Sequence, residues 1–130
     1  MKKQPKRIGL AIIGAGRVGL FRGEVAARHP MVDFIGVCDL KKDRRDVVAS
    51  KVNADFVTDD FRSLLKRQEI TAAIISTDEH LHVEPILAAV ERNLSLMIEK
   101  PLATELKDSE RVLKAIQASK VDAVVGYTQR

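Results

Sequence analysis

Cysteine and aromatic residues are scarce in this sequence. Cys38 is its single cysteine, so an internal disulfide bond is excluded, which favours a reducing compartment and a buried, unreactive thiol. With four Phe, one Tyr and no Trp, the chain lacks the aromatic platforms on which nucleic-acid bases stack. One Cys and three scattered His provide no cluster of metal ligands. We therefore expect no metal site and no nucleic-acid partner.

The sequence also lacks a strong excess of one charge and a long hydrophobic run. Its net charge is +4, but basic and acidic residues are interspersed apart from the MKKQPKR start and the KKDRR segment at 41–45. The basic start and the apolar stretch behind it are similar to a secretion signal, but Arg17 and glycines interrupt the stretch, which is too short to span a membrane. We interpret residues 1–6 as a solvated tail and expect a cytoplasmic protein with no membrane partner.

Short apolar runs alternate with longer amphipathic segments, the pattern of strands and crossover helices in a parallel sheet. The candidate strands are 7–13, 33–38, 56–57, 72–76, 96–98 and 123–125, and the candidate helices are 18–28, 42–51, 61–66, 81–92 and 106–118. Near-continuous apolarity in AAIIS and AVVG indicates strands that are covered on both faces. Residues 7–130 are thus predicted to form an α/β Rossmann domain, a doubly wound parallel sheet in the strand order 3-2-1-4-5-6 within three α/β/α layers.

Three glycines, Gly14, Gly16 and Gly19, follow the first predicted strand with the spacing Gly-x-Gly-x-x-Gly. In such a fold the first permits a tight turn, the second lets a pyrophosphate approach the backbone, and the third lets the helix pack closely on the strand. The helix start at Arg17 and Val18 adds unpaired N–H groups and a partial positive charge that suit an anion. These residues predict a dinucleotide-binding turn.

Asp39 ends the second predicted strand, twenty residues after Gly19. A carboxylate there accepts hydrogen bonds from the adenosine ribose hydroxyls, whereas a loop or helix-capping aspartate is the alternative. Its negative charge repels the additional phosphate of NADP, so NAD is the predicted cofactor. The basic residues that follow either compensate for this charge, which keeps NADP open, or form a solvated helix face; they are Lys41, Lys42, Arg44 and Arg45.

The order of several short motifs resembles the nucleotide-binding domain of the glucose-fructose oxidoreductase and inositol dehydrogenase (Gfo/Idh/MocA) family. The motifs are GAGRVG from Gly14, VCD ending at Asp39, STDEHLH at 76–82, EKP at 99–101 and VGYTQR at the end, and the resemblance covers essentially all of the chain. EKP after a fifth strand is the most specific piece. The resemblance implies hydride transfer between a nicotinamide cofactor and the carbinol of a sugar, a cyclic polyol or a related compound.

The resemblance implies a catalytic role for Lys100, whose ammonium would reach the reacting oxygen near the nicotinamide. An ammonium there stabilises the developing alkoxide and can pass a proton. Glu99 would help to hold the lysine and the nicotinamide end of the cofactor, and a cis bond is expected before Pro101. Without the resemblance, Lys100 is interpreted as a solvated lysine beyond a strand.

The end of the fourth predicted strand carries further implied cofactor contacts. Ser76 and Thr77 would touch the middle or the nicotinamide half of the cofactor. Ser76 also has capping-box spacing to Glu79, which predicts a helix beginning near Asp78, at a position where family members usually have proline. His82 matches the family's histidine early in this helix and is an implied cofactor contact, with a surface imidazole as the alternative.

The family's second half, which supplies the substrate pocket, is absent from the sequence. We therefore expect a cofactor domain that lacks turnover by itself, and a homo-oligomer for the full-length protein. Two other functions stay open: a non-catalytic NAD(H)-sensing or regulatory module, and a methyltransferase-like nucleoside binder. The EKP motif favours the enzyme, because a sensor needs no ammonium at the nicotinamide.

Overall fold

A single parallel sheet organises the chain. The computed structural model describes residues 7–100, 103 and 105–126, and within them the strands are β1 Ile8–Ile13, β2 Val32–Cys38, β3 Phe56–Thr58, β4 Ala72–Ile75, β5 Ser95–Glu99 and β6 Ala123–Gly126. Their order is β3-β2-β1-β4-β5-β6, and every pairing is parallel. The predicted fold class and strand order are confirmed. The tail at 1–6, the bond before Pro101 and the last four residues lie outside the described residues.

Helices cover both faces of the sheet. They are α1 Arg17–Ala27, α2 Lys42–Val52, α3 Phe61–Leu65, α4 Val83–Glu91 and α5 Leu106–Ser119. On one face, Ile12 and Val37 belong to a buried cluster that includes Val48 of α2. On the other, Ile75 and Ile98 belong to a second cluster with residues of α3, α4 and α5. Burial on both faces explains the near-continuous apolar run of β4. The same prediction for AVVG is wrong, because β6 lies at the edge of the sheet and Val124 is 61% exposed.

The strand order places four chain segments at one edge of the sheet. Ile13 pairs with Cys38 on one side and with Ile75 on the other, and Ile75 pairs with Ile98. Gly14, Asp39, Ser76 and Glu99 come directly after these residues in the sequence. Because the strands are parallel and in register, these positions leave the sheet at the same level, where ligands bind in doubly wound folds.

The start of the fourth helix, α4, differs from the prediction. A short 3₁₀ turn occupies Glu79–Leu81, and α4 begins only at Val83, with His82 as its N-cap. The expected helix start near Asp78 is therefore wrong. Pro85 explains the later start, because proline lacks an N–H and is tolerated only in the first turn of a helix. A helix that began near Asp78 would have placed Pro85 in its interior.

Candidate functional site

The glycine turn after β1 is held tightly against the end of β4. Gly14 has a φ of +98°, a conformation that residues with side chains rarely adopt, and a Cβ added there would overlap the Ser76–Thr77 backbone. Its N–H donates to the carbonyl oxygen of Cys38 at 2.8 Å. A Cβ on Gly19 would overlap the carbonyl oxygen of Gly14 and lie 2.8 Å from Ser76 Oγ. Both glycines are therefore required by the fold itself.

Gly16 differs from these two glycines because neither its conformation nor its packing requires a missing side chain. Its φ of −80° and ψ of −162° are open to any residue. A Cβ there would have Arg44 Nη1 as its nearest neighbour, at 4.0 Å. The space in front of Gly16 is thus open, and this residue is also the N-cap of α1 without a side chain to bond the first N–H groups. Arg17 and Val18 form the first turn behind it.

Asp39 is bound to the glycine turn. Its Oδ2 accepts a hydrogen bond from Ala15 N at 2.7 Å, and its Oδ1 accepts one from Lys41 N at 2.8 Å. A carboxylate has about four acceptor positions, so this pair of bonds leaves lone pairs for a further donor such as a ribose hydroxyl. The carboxylate orders the turn and faces the same cavity as Gly16.

The four basic residues that follow Asp39 have different surroundings in the structure. Lys41 and Arg44 line the cavity. Lys42 forms an exposed ion pair with Asp46 on α2, and Arg45 Nη1 donates to the carbonyl oxygen of Asp39 at 3.3 Å. Two of the four are therefore placed to meet a ligand, and the other two are engaged by the protein.

The cavity itself has a volume of about 470 Å³, within the usual range for small-molecule and cofactor sites. Five predicted site residues line it: Gly14, Gly16, Asp39, Ser76 and Thr77. Its apolar wall includes Leu40, Phe61 and Leu81, which the sequence analysis did not single out although each follows the end of a strand. The remaining predicted site residues, Arg17, Val18, Gly19, His82, Glu99 and Lys100, lie outside this lining.

Ser76 and His82 hold the loops around the cavity. Ser76 Oγ donates to the carbonyl oxygen of Gly14 at 2.7 Å and so joins β4 to the glycine turn. The predicted capping role of Ser76 is therefore wrong, because its hydroxyl is bonded on the β1 side. His82 is 1% exposed, which excludes the surface-imidazole alternative, and its Nε2 donates to the Thr77 carbonyl oxygen at 2.7 Å.

Thr77 contributes an unsatisfied polar atom to the cavity wall. Its Oγ1 is buried and has no hydrogen-bond partner among the residues that the structure describes. Buried hydroxyl groups are nearly always hydrogen-bonded in folded proteins, so Thr77 Oγ1 is an exception among the described residues.

Glu99 and Lys100 lie at the end of β5, on the far side of β4 from Asp39. The Glu99 carboxylate is bound by Arg22 of α1, whose Nε and Nη2 donate to Oε2 at 3.1 and 2.9 Å. Lys100 is exposed. No local signal in the sequence marks Arg22, because its partner is 77 positions away.

Cys38 closes the floor of the cavity as an unreactive thiol. It is 4% exposed, and burial, followed by the nearby carboxylates of Asp39, Asp60 and Asp59, raises its pKa to about 12. The thiol is therefore protonated at neutral pH and is a poor nucleophile. The predicted buried and inert state of Cys38 is confirmed.

Two further properties concern metals and membranes. Among the described residues, no three His, Cys, Asp or Glu side chains come together as a group of metal ligands. In the same part of the chain, every helix is too short or too polar to cross a lipid bilayer.

Comparison with known proteins identifies relatives along nearly the whole chain. The model of the Gfo/Idh/MocA oxidoreductase family, described as an NAD-binding Rossmann fold, matches residues 8–127. The 2,7-anhydro-N-acetylneuraminate hydratase of Mediterraneibacter gnavus is 27% identical over 94% of this chain and 32% of its own length. The scyllo-inositol 2-dehydrogenase (NAD(+)) of Bacillus subtilis is 26% identical over 95% of this chain and 36% of its own length. The chain thus spans about a third of the length of these relatives.

Solved structures share the fold. The scyllo-inositol dehydrogenase of Lactobacillus casei, crystallised with NAD(H) and scyllo-inositol, superposes with a TM-score of 0.85 at 20% identity. The match covers 93% of this chain and 36% of that one. At this identity the likeness establishes the architecture of the domain.

Proposed function

The chain is an NAD-binding Rossmann domain of the Gfo/Idh/MocA oxidoreductase family, and we propose that this domain binds NAD across the glycine turn. The bound cofactor would exchange hydride with the carbinol of a sugar, an inositol-like polyol or a related compound. The observation that carries the proposal is the open space at Gly16. The fold requires glycine at positions 14 and 19 but not at 16, so the missing side chain at Gly16 leaves the backbone open to the close approach of a ligand.

The cavity residues divide between the parts of the cofactor by their chemistry. The N–H groups in the first turn of α1, at Arg17, Val18 and Gly19, would bind the pyrophosphate in the open space before Gly16. The Asp39 carboxylate retains acceptor positions for the ribose hydroxyls. Leu40 and Leu81 provide apolar surface beside Asp39, which suits the adenine ring.

The chemical step is assigned to the opposite end of the cleft. When bound, the nicotinamide accepts or donates the hydride. We assign to the Lys100 ammonium the stabilisation of the alkoxide on the reacting carbinol and the transfer of the carbinol proton, because Lys100 is an exposed cation directly after β5, at the edge where doubly wound sheets bind ligands. Ser76, Thr77, Glu99 and His82 are proposed to shape the path between the two ends, His82 through the Thr77 carbonyl that it binds.

Calorimetric titration with NADH and NADPH tests the ribose site. We expect the parent chain to bind NADH more tightly than NADPH, and the Asp39→Ala variant to bind NADH about tenfold more weakly, the equivalent of one lost charge-assisted hydrogen bond. Asp33→Ala is the matched control, because Asp33 is an exposed carboxylate that forms an ion pair with Arg7 at 3.2 Å. Unchanged NADH affinity in Asp39→Ala would contradict the proposal that Asp39 binds the ribose hydroxyls.

Arg44 provides a second test of the adenosine end of the cofactor site. Because its guanidinium lines the cavity beside Gly16 and Asp39, Arg44→Ala is expected to weaken NADPH binding by about fivefold more than NADH binding, since a 2′-phosphate gains more than a hydroxyl from a neighbouring cation. Lys42→Ala, which removes a cation that is already paired with Asp46, is the control. Equal losses of NADH and NADPH affinity would indicate that Arg44 contacts the pyrophosphate and not the 2′-phosphate.

Chemical labelling of lysine tests the position of Lys100. Bound NADH is expected to slow reductive methylation of the Lys100 ammonium about threefold or more, whereas ADP-ribose, which lacks the nicotinamide, is expected to leave the rate unchanged. Lys51, an exposed residue in the last turn of α2, serves as the internal reference in the same mass spectrum. Equal protection of Lys100 by NADH and by ADP-ribose would show that Lys100 does not lie at the nicotinamide.

The wider setting of the domain is proposed from its composition and its relatives. The chain matches about a third of those relatives, so we assign the choice of substrate mainly to the part of such proteins outside the match, and we expect this chain alone to lack turnover. A lone buried Cys38 supports the cytoplasm. We also propose a homo-oligomer for the full-length protein and no nucleic-acid partner, since the basic residues are dispersed.

A further inference from the structure

A partly buried ion pair joins the dinucleotide-binding helix to the strand that carries Lys100. Arg22 Nε and Nη2 both donate to Glu99 Oε2, at 3.1 and 2.9 Å, and the two side chains are only 13% and 12% exposed. In the other ion pairs within the described residues, each side chain is at least 36% exposed. Arg22 and Glu99 therefore form the ion pair that is best shielded from water in this part of the chain.

The Arg22 guanidinium lies over the carboxyl ends of two strands. Its Nη1 donates to the sulfur of Met97 at 3.5 Å, two residues before Glu99 on β5. A Cβ on Gly126, the last residue of β6, would come within 2.7 Å of Arg22 Nη2, and Gly126 is the register partner of Glu99. The guanidinium thus packs against both strand ends and fixes where β5 leaves the sheet.

The same arginine is anchored to the glycine turn through α1. Arg22 is three residues after Gly19, and Gly19 is packed against the carbonyl oxygen of Gly14. Residues three apart on a helix lie on neighbouring positions of the same face. A rigid helix therefore connects the residues in front of the pyrophosphate with the carboxylate that precedes Lys100.

Such a pair is better suited to positioning than to stability. Removing two charges from water is costly, and the attraction between them about offsets that cost. Its geometry, however, is well defined, because two donors of one planar guanidinium bind a single oxygen. Lys100 forms no hydrogen bond or ion pair with any other described residue, so its placement depends on the backbone that Glu99 anchors.

We propose that Arg22 is a positioning residue that acts through Glu99 to hold the end of β5, and with it Lys100, against the nicotinamide half of the bound cofactor. This inference rests on the proposed function. It extends that function by linking the two ends of the cleft: the helix that meets the pyrophosphate also sets the position of the nicotinamide end.

Calorimetry with two ligands tests the inference on this chain. ADP-ribose contains the adenosine and pyrophosphate parts but lacks nicotinamide, so it reports on the glycine turn alone. Arg22→Met is expected to weaken NADH binding about tenfold and to change ADP-ribose binding less than about twofold. Arg7→Met, which removes an arginine from an exposed ion pair with Asp33, is expected to change neither affinity. Arg22→Lys, which retains the charge, is expected to recover part of the NADH affinity.

A double-mutant cycle identifies the route. If Arg22 acts through Glu99, Arg22→Met combined with Glu99→Gln weakens NADH binding no more than the stronger single variant, because residues that act as one unit are non-additive. Thermal unfolding checks the fold of each variant, and Arg22→Lys with Glu99→Gln decides the matter if Arg22→Met does not fold.

The outcomes distinguish the inference from the proposed function. Equal losses of NADH and ADP-ribose affinity in Arg22→Met, unchanged NADH affinity, or additive effects in the cycle would overturn the positioning role while leaving the cofactor site in place. A parent chain that binds neither ligand would overturn the proposed function and the inference together.

Discussion

Gly16→Ala is expected to fold like the parent chain and to lose roughly a hundredfold in NADH affinity. The added methyl group enters space that is open in the folded domain, with Arg44 Nη1 as its nearest neighbour at 4.0 Å. Alanine is a poorer N-cap than glycine but is less flexible in the unfolded chain, and these two effects on the free energy of unfolding, each about 1 kcal/mol or less, oppose each other. A pyrophosphate against this backbone would collide with the methyl group, and overpacking of that kind costs about 1–3 kcal/mol.

Two measurements on Gly16→Ala separate binding from folding. Calorimetry gives the NADH affinity, and the thermal unfolding midpoint is expected to stay within about 3 °C of the parent. Adenosine, which lacks the pyrophosphate, is the control ligand; ligand-observed NMR is expected to show equal binding to both proteins. A variant with full NADH affinity would remove the central support for the proposed function, whereas an unfolded variant would show that Gly16 is required by the fold after all.

Gly14→Ala, the same substitution two residues earlier, is expected to have its large effect on stability. The φ of +98° is unfavourable for alanine, and its Cβ would overlap the backbone of Ser76 and Thr77. Backbone strain of about 1–3 kcal/mol and overpacking of a similar size sum to roughly 4 kcal/mol. Since domains of this size unfold with a free energy of only about 5–15 kcal/mol, a large shift of the denaturant midpoint is expected.

Urea unfolding followed by circular dichroism measures this effect, and two comparisons identify its cause. Gly16→Ala is the matched control, because it adds the same atom at an unstrained position. Gly14→Asn tests the contact separately, since asparagine tolerates a positive φ better than alanine but carries the same Cβ; we expect it to be destabilised to a similar degree. If Gly14→Asn were as stable as the parent, the overlap with β4 would have no energetic consequence.

The glycine turn also shows how far the sequence could lead. Its spacing predicted a turn, a close approach and a tight helix contact, and the structure assigns the turn to Gly14 and the tight contact to Gly19. The open space at Gly16 could not be read from the sequence, because it depends on where Arg44 and the Ser76 loop lie. The glycine turn and the charge of Asp39 predicted NAD as the cofactor, and the match to the NAD-binding family model bears this out.

The predictions that were wrong involved residues with two potential partners. Ser76 had the spacing of a capping residue, but β4 pairs with β1 and brings the carbonyl oxygen of Gly14 to 2.7 Å from its hydroxyl. The capping-box spacing is a local pattern that takes no account of this pairing, although the predicted strand order already placed β4 beside β1. Pro85, by contrast, is a local signal in the sequence for the later start of α4.

The sequence by itself determined the alternation of strands and helices, the dinucleotide turn and the family, because apolar periodicity, glycine spacing and short motifs act over a few neighbouring residues. The strand order followed from the doubly wound fold that this alternation indicates. Only the tertiary structure decided which of the basic residues after Asp39 face the cavity, which hydrogen bond Ser76 makes, and that Arg22 binds Glu99. Those outcomes depend on distances between residues that are far apart in the chain, and the packing of the helices on the sheet sets those distances.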